Sequence, residues 1–334
     1  MIRIPVTEQS QVADARRQVN QFARTLGFDE TQAGKVAIVV TELATNLIKH
    51  GKGGEVLAQT ATRSGVVGLE VLSLDRGPGM ASIEDSMRDG FSTAGSKGEG
   101  LGAVRRQAAE FDVWSQPGQG AVLLARFWPG RAPAASDIGA KGLQVGAVSV
   151  SKPGEEVCGD AWDIVRDEAG VAILVVDGLG HGPQAAEAAL AATRLFEKYG
   201  ARSVPGVLES LHHGLRGTRG AAVAVARLQP AARKIAYGGI GNIAATFLTE
   251  GAIRRGVSQS GTAGVVARRI SEFQYTHGNN LIAVLHSDGV GTAWSLDRYA
   301  GLSARDPTLT AAVLYRDFAR GSDDATVVVA RWAA

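Results

Sequence analysis

Between Trp128 and Lys141 the chain reads PGRAPAASDIGAK, a run of Pro, Ala and Gly with almost no large apolar side chain. Such a stretch has nothing to bury as a core helix or strand, so the apolar segments on its two sides must build separate cores. The expected division is a first domain over residues 1–129, a linker over 130–141 and a second domain over 142–334. The length of 334 residues suits this, since single domains usually hold about 100 to 200 residues. With 45% hydrophobic and 20% charged residues the chain carries enough apolar surface to order both halves.

Periodicity assigns elements to each half. Arg3 to Val6 reads as a short strand, and Gln9 to Leu26 as a helix with Val12, Ala15, Val19 and Phe22 on one face. Asp29 is placed to start a second helix, whose amphipathic pattern runs through Lys35 to His50. Strand patterns follow at Val56 to Ala58, Val66 to Leu74, Phe111 to Ser115 and Gly120 to Phe127. The second half offers strands at 144–151, 171–176, 221–228, 235–237, 243–248, 281–286 and 325–330, interrupted by helices at 184–199, 203–215 and 309–318. Strands outnumber helices there, as a layered antiparallel architecture requires. The fold class expected is α+β in two domains.

Bulk chemistry excludes several functions. Thirty-five Lys and Arg against 33 Asp and Glu give a net charge of +2, with no general attraction to nucleic acid or anionic lipid. The single cysteine, Cys158, forms no intrachain disulfide and supplies no thiolate pair for zinc. The N-terminus lacks a secretory pattern, and no apolar run approaches the 18 or so residues of a membrane span, so a cytoplasmic protein without a membrane anchor is expected.

In TELATNLIKHG, Glu42, Asn46 and His50 recur every four residues and project from one helix face, beside the apolar stripe of Val36, Val40, Leu43 and Leu47. A carboxamide oxygen suits Mg2+ and a carboxylate suits deprotonation of a hydroxyl. LSLDRGPGM ends a strand on Asp75 ahead of Gly77 and Gly79, and SKGEGLG sets Gly98, Gly100 and Gly102 before a helix, flanked by Lys97 and Arg105. Glycines let backbone amides crowd a polyphosphate, and a helix N-terminus adds its dipole. The spacing is neither that of a dinucleotide fold nor that of a P-loop.

This ordered set resembles the Bergerat-fold (GHKL) ATPases, and within them the anti-sigma-factor serine kinases of the stressosome switch type, over residues 1 to 128. The resemblance implies an N-terminal α/β sandwich that binds ATP and Mg2+. Asn46 would then hold Mg-ATP, Asp75 would receive the adenine amino group, and Gly77 and Gly79 would shape that pocket. Lys97, Gly98, Gly100 and Gly102 would enclose phosphate, and Glu42 is the candidate general base toward a protein hydroxyl. His50 is expected to pack or hydrogen-bond at the helix end.

In the second half, Asp160, Asp177, Asp288 and Asp323 each stand where an apolar strand meets a Gly- or Ser-bearing turn. A fold that gathers these strand ends creates a carboxylate cluster that repels itself without cations, and hard Mg2+ or Mn2+ is its natural complement. The pattern resembles the PPM (PP2C-type) serine/threonine phosphatases, in the small bacterial branch of SpoIIE-like sporulation and stress-response enzymes, over residues 142 to 334. The resemblance implies an α-β-β-α sandwich with two Mn2+ or Mg2+ ions at one edge. Asp177 would bridge them and act catalytically, the Gly178 carbonyl would coordinate, and Asp160, Asp288 and Asp323 would complete the set, with Asp324 the alternative to Asp323. His181 orients water, donates a proton or fixes its turn; GGIGN at 238–242 lies near the site or forms a sheet turn. Trp162 and Trp294 are expected as core or rim packing, and so are Met87 and Phe91. The arginine that clamps phosphate in larger relatives has no counterpart ahead of Asp160.

The paired resemblance implies a bifunctional partner-switching regulator. It would phosphorylate and dephosphorylate serine or threonine on STAS-domain anti-anti-sigma or stressosome proteins, with a sigma-regulatory partner as a further candidate. Two narrower readings stay open: a phosphatase regulated by ATP at a kinase-inactive first domain, and a non-enzymatic, nucleotide-sensitive anti-sigma or adaptor protein.

Overall fold

The structure, a computed structural model, describes residues 1–87, 100–133 and 142–333. The chain divides into two compact units, Met1–Asp137 with Ser295–Arg316, and Ile138–Trp294 with Asp317–Ala334.

In the first unit, β1 (Ile2–Val6) leads to α1 (Gln9–Thr25) and α2 (Glu30–Lys49), followed by β2 (Gly54–Arg63) and β3 (Val66–Leu74). Then come α3 (Ile83–Ser86), α4 (Gly100–Gln107), β4 (Glu110–Ser115) and β5 (Ala121–Phe127). Helix α2 starts where Asp29 can cap it: its carboxylate accepts from the Gln32 amide at 2.7 Å, while Gln32 Oε1 accepts from the Asp29 amide at 3.1 Å. The five strands form one antiparallel sheet in the order β1-β2-β3-β5-β4. Val12 and Val19 of α1 and Val36, Val40, Leu43 and Leu47 of α2 pack on Val56, Ala58, Val71 and Leu123 of that sheet. Each such aliphatic side chain contributes about 1.5–3 kcal/mol by leaving water. Strand β2 runs well past the apolar Val56 to Ala58, because Gln59 to Arg63 pair with β3 through backbone bonds and a 2.6 Å Gln59–Glu70 hydrogen bond. A polar half-strand of this kind carries little periodic signal.

Residues 295–316 fall inside the span read from sequence as the second domain, yet they group with the first unit. There the Trp114 indole donates to the Ala300 carbonyl at 3.0 Å, and its ring meets Tyr299 edge to face at 5.4 Å. Arg126, 8% exposed, grips Asp306 with both terminal nitrogens at 2.7 and 2.8 Å while its Nε bonds to Glu70. In the helix Pro307–Phe318, buried Arg316 donates to the carbonyl of Asp75 at 2.8 Å.

The second unit holds β6 (Gln144–Val150), β7 (Asp160–Asp167), β8 (Gly170–Gly178), α5 (Pro183–Tyr199), α6 (Val204–Gly214), β9 (Ala221–Gln229) and β10 (Lys234–Ile240). After them come β11 (Ala244–Thr249), β12 (Ala252–Arg255), β13 (Gly261–Thr262), β14 (Val266–Ala267), β15 (Phe273–Thr276), β16 (Asn280–His286) and β17 (Ala325–Ala333). They form two five-stranded antiparallel sheets, β15-β10-β9-β8-β7 and β12-β11-β16-β17-β6, and the β13–β14 hairpin. Strand β8 shows why its sequence is apolar throughout. Val171, Ile173 and Val175 share a core with Phe247, Leu285 and Val328 of the other sheet, while Ala172, Leu174 and Val176 meet Ala192, Phe196, Leu208 and Leu211 of the helices. Strand β7 was not anticipated, since DAWDIVRD is largely polar; as an edge strand it needs no two-sided apolar run. No helix among the described residues is long and apolar enough to cross a membrane.

Candidate functional site

In the first unit, Glu42 and Asn46 are half-buried on α2 and His50 caps its end, exposed, with its amide donating to the Asn46 carbonyl at 2.9 Å. Asp75 closes β3 and is only 9% exposed. Its Oδ1 accepts from the amides of Gly77 (2.8 Å) and Ala121 (3.2 Å), which leaves Oδ2 for another donor. Burial pushes the Asp75 carboxyl up, against the pull of those two amides. A Cβ on Gly51 would stand 2.8 Å from the Asp75 Cβ, and one on Gly77 would stand 2.9 Å from the Gly51 Cα, so the turn after α2 is pressed onto the DRGPG turn. Gly79 has φ +71°, and a Cβ there would stand 2.3 Å from the Gln116 carbonyl oxygen. Gly100 opens α4 with its Cβ position 3.1 Å from Glu42 Oε1, and Gly102 is buried in the first turn of the same helix. The structure therefore brings Glu42 beside Gly100 of the second glycine run. Lys97, Gly98 and Phe91 lie outside the described residues. Arg105 is exposed, and it lines a cleft of 760 Å³ with Met80, Glu84, Met87, Phe111 and Asp112 that includes none of Glu42, Asn46 and Asp75. Met87 packs against the core, as its apolar character suggested.

In the second unit, four strand ends carry the acidic residues. Asp160 opens β7 and stands opposite Asp177, next to the last residue of β8. Asp288 follows β16 by two residues, and Asp323 and Asp324 immediately precede β17. Asp160 is 6% exposed and its Oδ2 accepts from Ser287 Oγ at 2.6 Å; Asp288 Oδ2 accepts from Asn242 Nδ2 at 2.6 Å. Asp324 is buried with both oxygens taken, by the amides of Lys152 (2.8 Å) and Gly159 (3.0 Å), while half-buried Asp323 accepts from the Asp324 amide at 2.9 Å. Gly178 must be glycine, since a Cβ would lie 2.2 Å from the Ala185 carbonyl oxygen in the first turn of α5.

These carboxylates feel one another. Burial first, then the charges of Asp160, Asp288, Asp323 and Asp324, push Asp177 up to about 8. Burial likewise pushes Asp160 up to about 7, opposed by Ser287 and reinforced by Asp324 and Asp323. Neighbouring Cys158 is pushed up to about 12, mainly by burial, which makes it an inert thiol. Among the described residues no three Asp, Glu, His or Cys side chains stand close enough to close a metal shell unaided. The donor set is nonetheless oxygen-only, partly buried and short of positive charge, which fits hard divalent cations better than any soft metal.

Several partners escaped sequence reading. Glu155 holds His181, with Oε1 2.6 Å from Nδ1. Ser287 and Asn242 orient the carboxylates, and Asn242 gives the GGIGN turn a specific contact. Trp162 packs beside the core between the sheets, and Trp294 stacks edge-on with His286 and donates to its Nε2 at 3.3 Å. A serine or asparagine in a turn is too common to stand out without the fold.

Residues 5–127 match the family model of the histidine kinase-like ATPase domain, and residues 167–333 match that of stage II sporulation protein E (SpoIIE). The chain is 34% identical over 123 residues to the serine/threonine-protein kinase RsbT of Bacillus subtilis (strain 168), covering 37% of this chain and 92% of RsbT. It is 28% identical over 101 residues to the phosphoserine phosphatase RsbX of the same strain, which is 30% of this chain and about half, 51%, of RsbX. A protein solved in a study of the bacterial stressosome, as a modular system adapted to control secondary messenger signalling, shares 29% identity at a TM-score of 0.53, over 57% of this chain and 99% of its own. Both resemblances read from the sequence, and the α+β two-domain class, are borne out.

Proposed function

The chain belongs to the SpoIIE family and carries a histidine kinase-like ATPase domain ahead of its family domain, and from that premise we propose a partner-switching regulator that both adds and removes phosphate on serine or threonine of STAS-type clients. Similarity to a named serine/threonine kinase and a named phosphoserine phosphatase supports the two chemistries, and similarity to a stressosome protein supports the client class. A reaction that consumes ATP belongs to the cytoplasm.

The observation that carries the phosphatase half is the convergence of Asp160, Asp177, Asp288 and Asp323 at neighbouring strand ends, each charge raising the proton affinity of Asp177. Two Mn2+ or Mg2+ ions held by these residues and the Gly178 carbonyl would supply a water of lowered pKa and neutralise phosphoryl charge. Asp177, at the end of β8, would be one of their ligands. Ser287 and Thr326 orient Asp160, and Asn242 holds one oxygen of Asp288. Asp324 accepts a backbone amide on each oxygen, which ties its loop down and favours Asp323 as the residue that would hold the metal.

In the first unit, with Asp75 Oδ1 engaged by the Gly77 and Ala121 amides, Asp75 would receive the adenine amino group, Asn46 would hold Mg-ATP, and Gly77 and Gly79 would shape the base pocket. Lys97, Gly98, Gly100 and Gly102 would take the phosphates, and Glu42, beside Gly100, would accept the client hydroxyl's proton.

The test is phosphosite mass spectrometry on a STAS client. The intact chain with Mg-ATP adds phosphate and Glu42→Ala does not; the intact chain with Mn2+ removes phosphate and Asp177→Asn does not. A client left unmodified in both directions sinks the bifunctional reading, while phosphate removal alone leaves the first unit as a nucleotide sensor.

A further inference from the structure

A carboxylate centre that recruits a phosphate dianion also needs a side-chain cation for the phosphate oxygens, and residues 142–159, which lead the second unit into Asp160, contain no arginine. Resting on the phosphatase reading above, we propose that Arg219, on the loop between α6 and β9, binds the non-bridging oxygens of the substrate's phosphate.

The loop is built to hold that residue in place. Thr218 donates its hydroxyl to the Leu215 carbonyl at 2.7 Å and accepts from the Gly220 amide at 3.0 Å, so the residues on both sides of Arg219 are pinned. The Leu179 amide donates to the Gly220 carbonyl at 3.0 Å, which stitches the loop to the DGLGHG turn directly after Asp177. One guanidinium nitrogen of Arg219 lies 3.1 Å from the point where a Cβ on Gly180 would stand. The carbonyl of Gly180 is in turn 3.7 Å from the corresponding point on Gly159, and that point is 2.8 Å from an Asp324 carboxylate oxygen. Two glycines, Gly180 and Gly159, thus stand between Arg219 and Asp324 at the rim of the acidic centre.

Its electrostatic state fits the role. Arg219 is exposed, and among the described residues no carboxylate engages it. A guanidinium beside a negative centre, with its forked donors unspent, is suited to a phosphate dianion that brings its own charge. The other basic side chain on the turn, His181, is occupied by Glu155 at 2.6 Å. Sequence reading passed over Arg219 because it lies 42 residues after Asp177 in a loop without a motif; only the β8–β9 pairing of Gly178 with Ala221 brings the two together.

The full chain loaded with Mn2+ is assayed with para-nitrophenyl phosphate, with inorganic phosphate as competitive inhibitor. Arg219→Ala should raise both KM and the phosphate inhibition constant about tenfold or more while kcat changes far less, and Arg219→Lys should recover part of the loss. The Mn2+-induced rise in Tm should be kept in both variants, which separates lost phosphate contact from lost fold or metal. Arg216→Ala, an exposed cation on the same loop, should stay within about twofold of the parent. Values for Arg219→Ala within about twofold of the parent, or an equal loss in Arg216→Ala, would overturn the assignment. If the parent chain with Mn2+ releases no phosphate at all, the phosphatase reading falls instead. Calorimetric titration of inorganic phosphate into the Mn2+-loaded chain then decides Arg219: binding lost in Arg219→Ala supports it, and equal binding refutes it.

Discussion

Burial and its acidic neighbours oppose ionisation of Asp177, so its charge costs stability where no cation offsets it. Replacing it with Asn keeps the shape and removes the charge. Asp177→Asn should therefore lower Mn2+-dependent turnover by about 10²–10³-fold, the scale of losing one preorganised electrostatic anchor. The same change should raise the Tm of the metal-free protein, at about 2–4 °C per kcal/mol for a unit of this size, as thermal denaturation in EDTA would show. Glu110 behaves in the opposite sense. Burial works to raise its carboxyl, but hydrogen bonds and charge from Arg63 and Arg126 outweigh this and hold it below the ordinary glutamate value. A depressed folded-state value gives stability that is present above the unfolded value and lost as pH falls through the folded one. The stability advantage of the parent over Glu110→Gln, followed by urea midpoints, should accordingly be present at pH 6 and shrink toward pH 3.

At the scale of elements, the helix Pro307–Phe318 bears on the proposed nucleotide site of the first unit. Arg316 donates to the backbone carbonyl of Asp75, the residue proposed to read adenine, and its guanidinium lies 5.5 Å from the Trp114 ring centre. Arg316→Ala leaves that carbonyl short of a charged donor and should weaken binding of a fluorescent ATP analogue about five- to tenfold, equivalent to about 1–1.4 kcal/mol. Helix α2 has two duties, since Leu43 and Leu47 hold it to the sheet while Glu42 stands beside Gly100. Leu43→Ala should cost about 2–5 kcal/mol of folding stability, read as a lower urea midpoint, whereas Asn46→Ala should leave that midpoint nearly unchanged.

For the whole molecule, two proposed sites, one on each unit, predict two separable ligand effects. A ligand that binds only the folded state at about 100 times its Kd adds about 2.7 kcal/mol. Mg-ATP and Mn2+ should each raise Tm, with Asn46→Ala abolishing the first shift alone and Asp177→Asn the second alone. Much of this molecule is legible in the chain because its chemistry sits on strong local signals. The Pro-, Ala- and Gly-rich break, the helical spacing of Glu42 and Asn46, and acidic residues ending apolar strands depend on short-range pattern, and these sufficed for two cores and the families they resemble. What lay beyond reach depends on distance in sequence. Edge strand β7 was hidden because one buried face leaves a weak pattern, and the grouping of residues 295–316 with the first unit rests on the long-range Arg126–Asp306 and Trp114–Ala300 contacts. Ser287, Asn242 and Arg219 acquire meaning only when antiparallel pairing sets their turns beside Asp160 and Asp177. Backbone propensity and apolar period are local properties of the chain, whereas a site made of strand ends comes into being only when the sheets close.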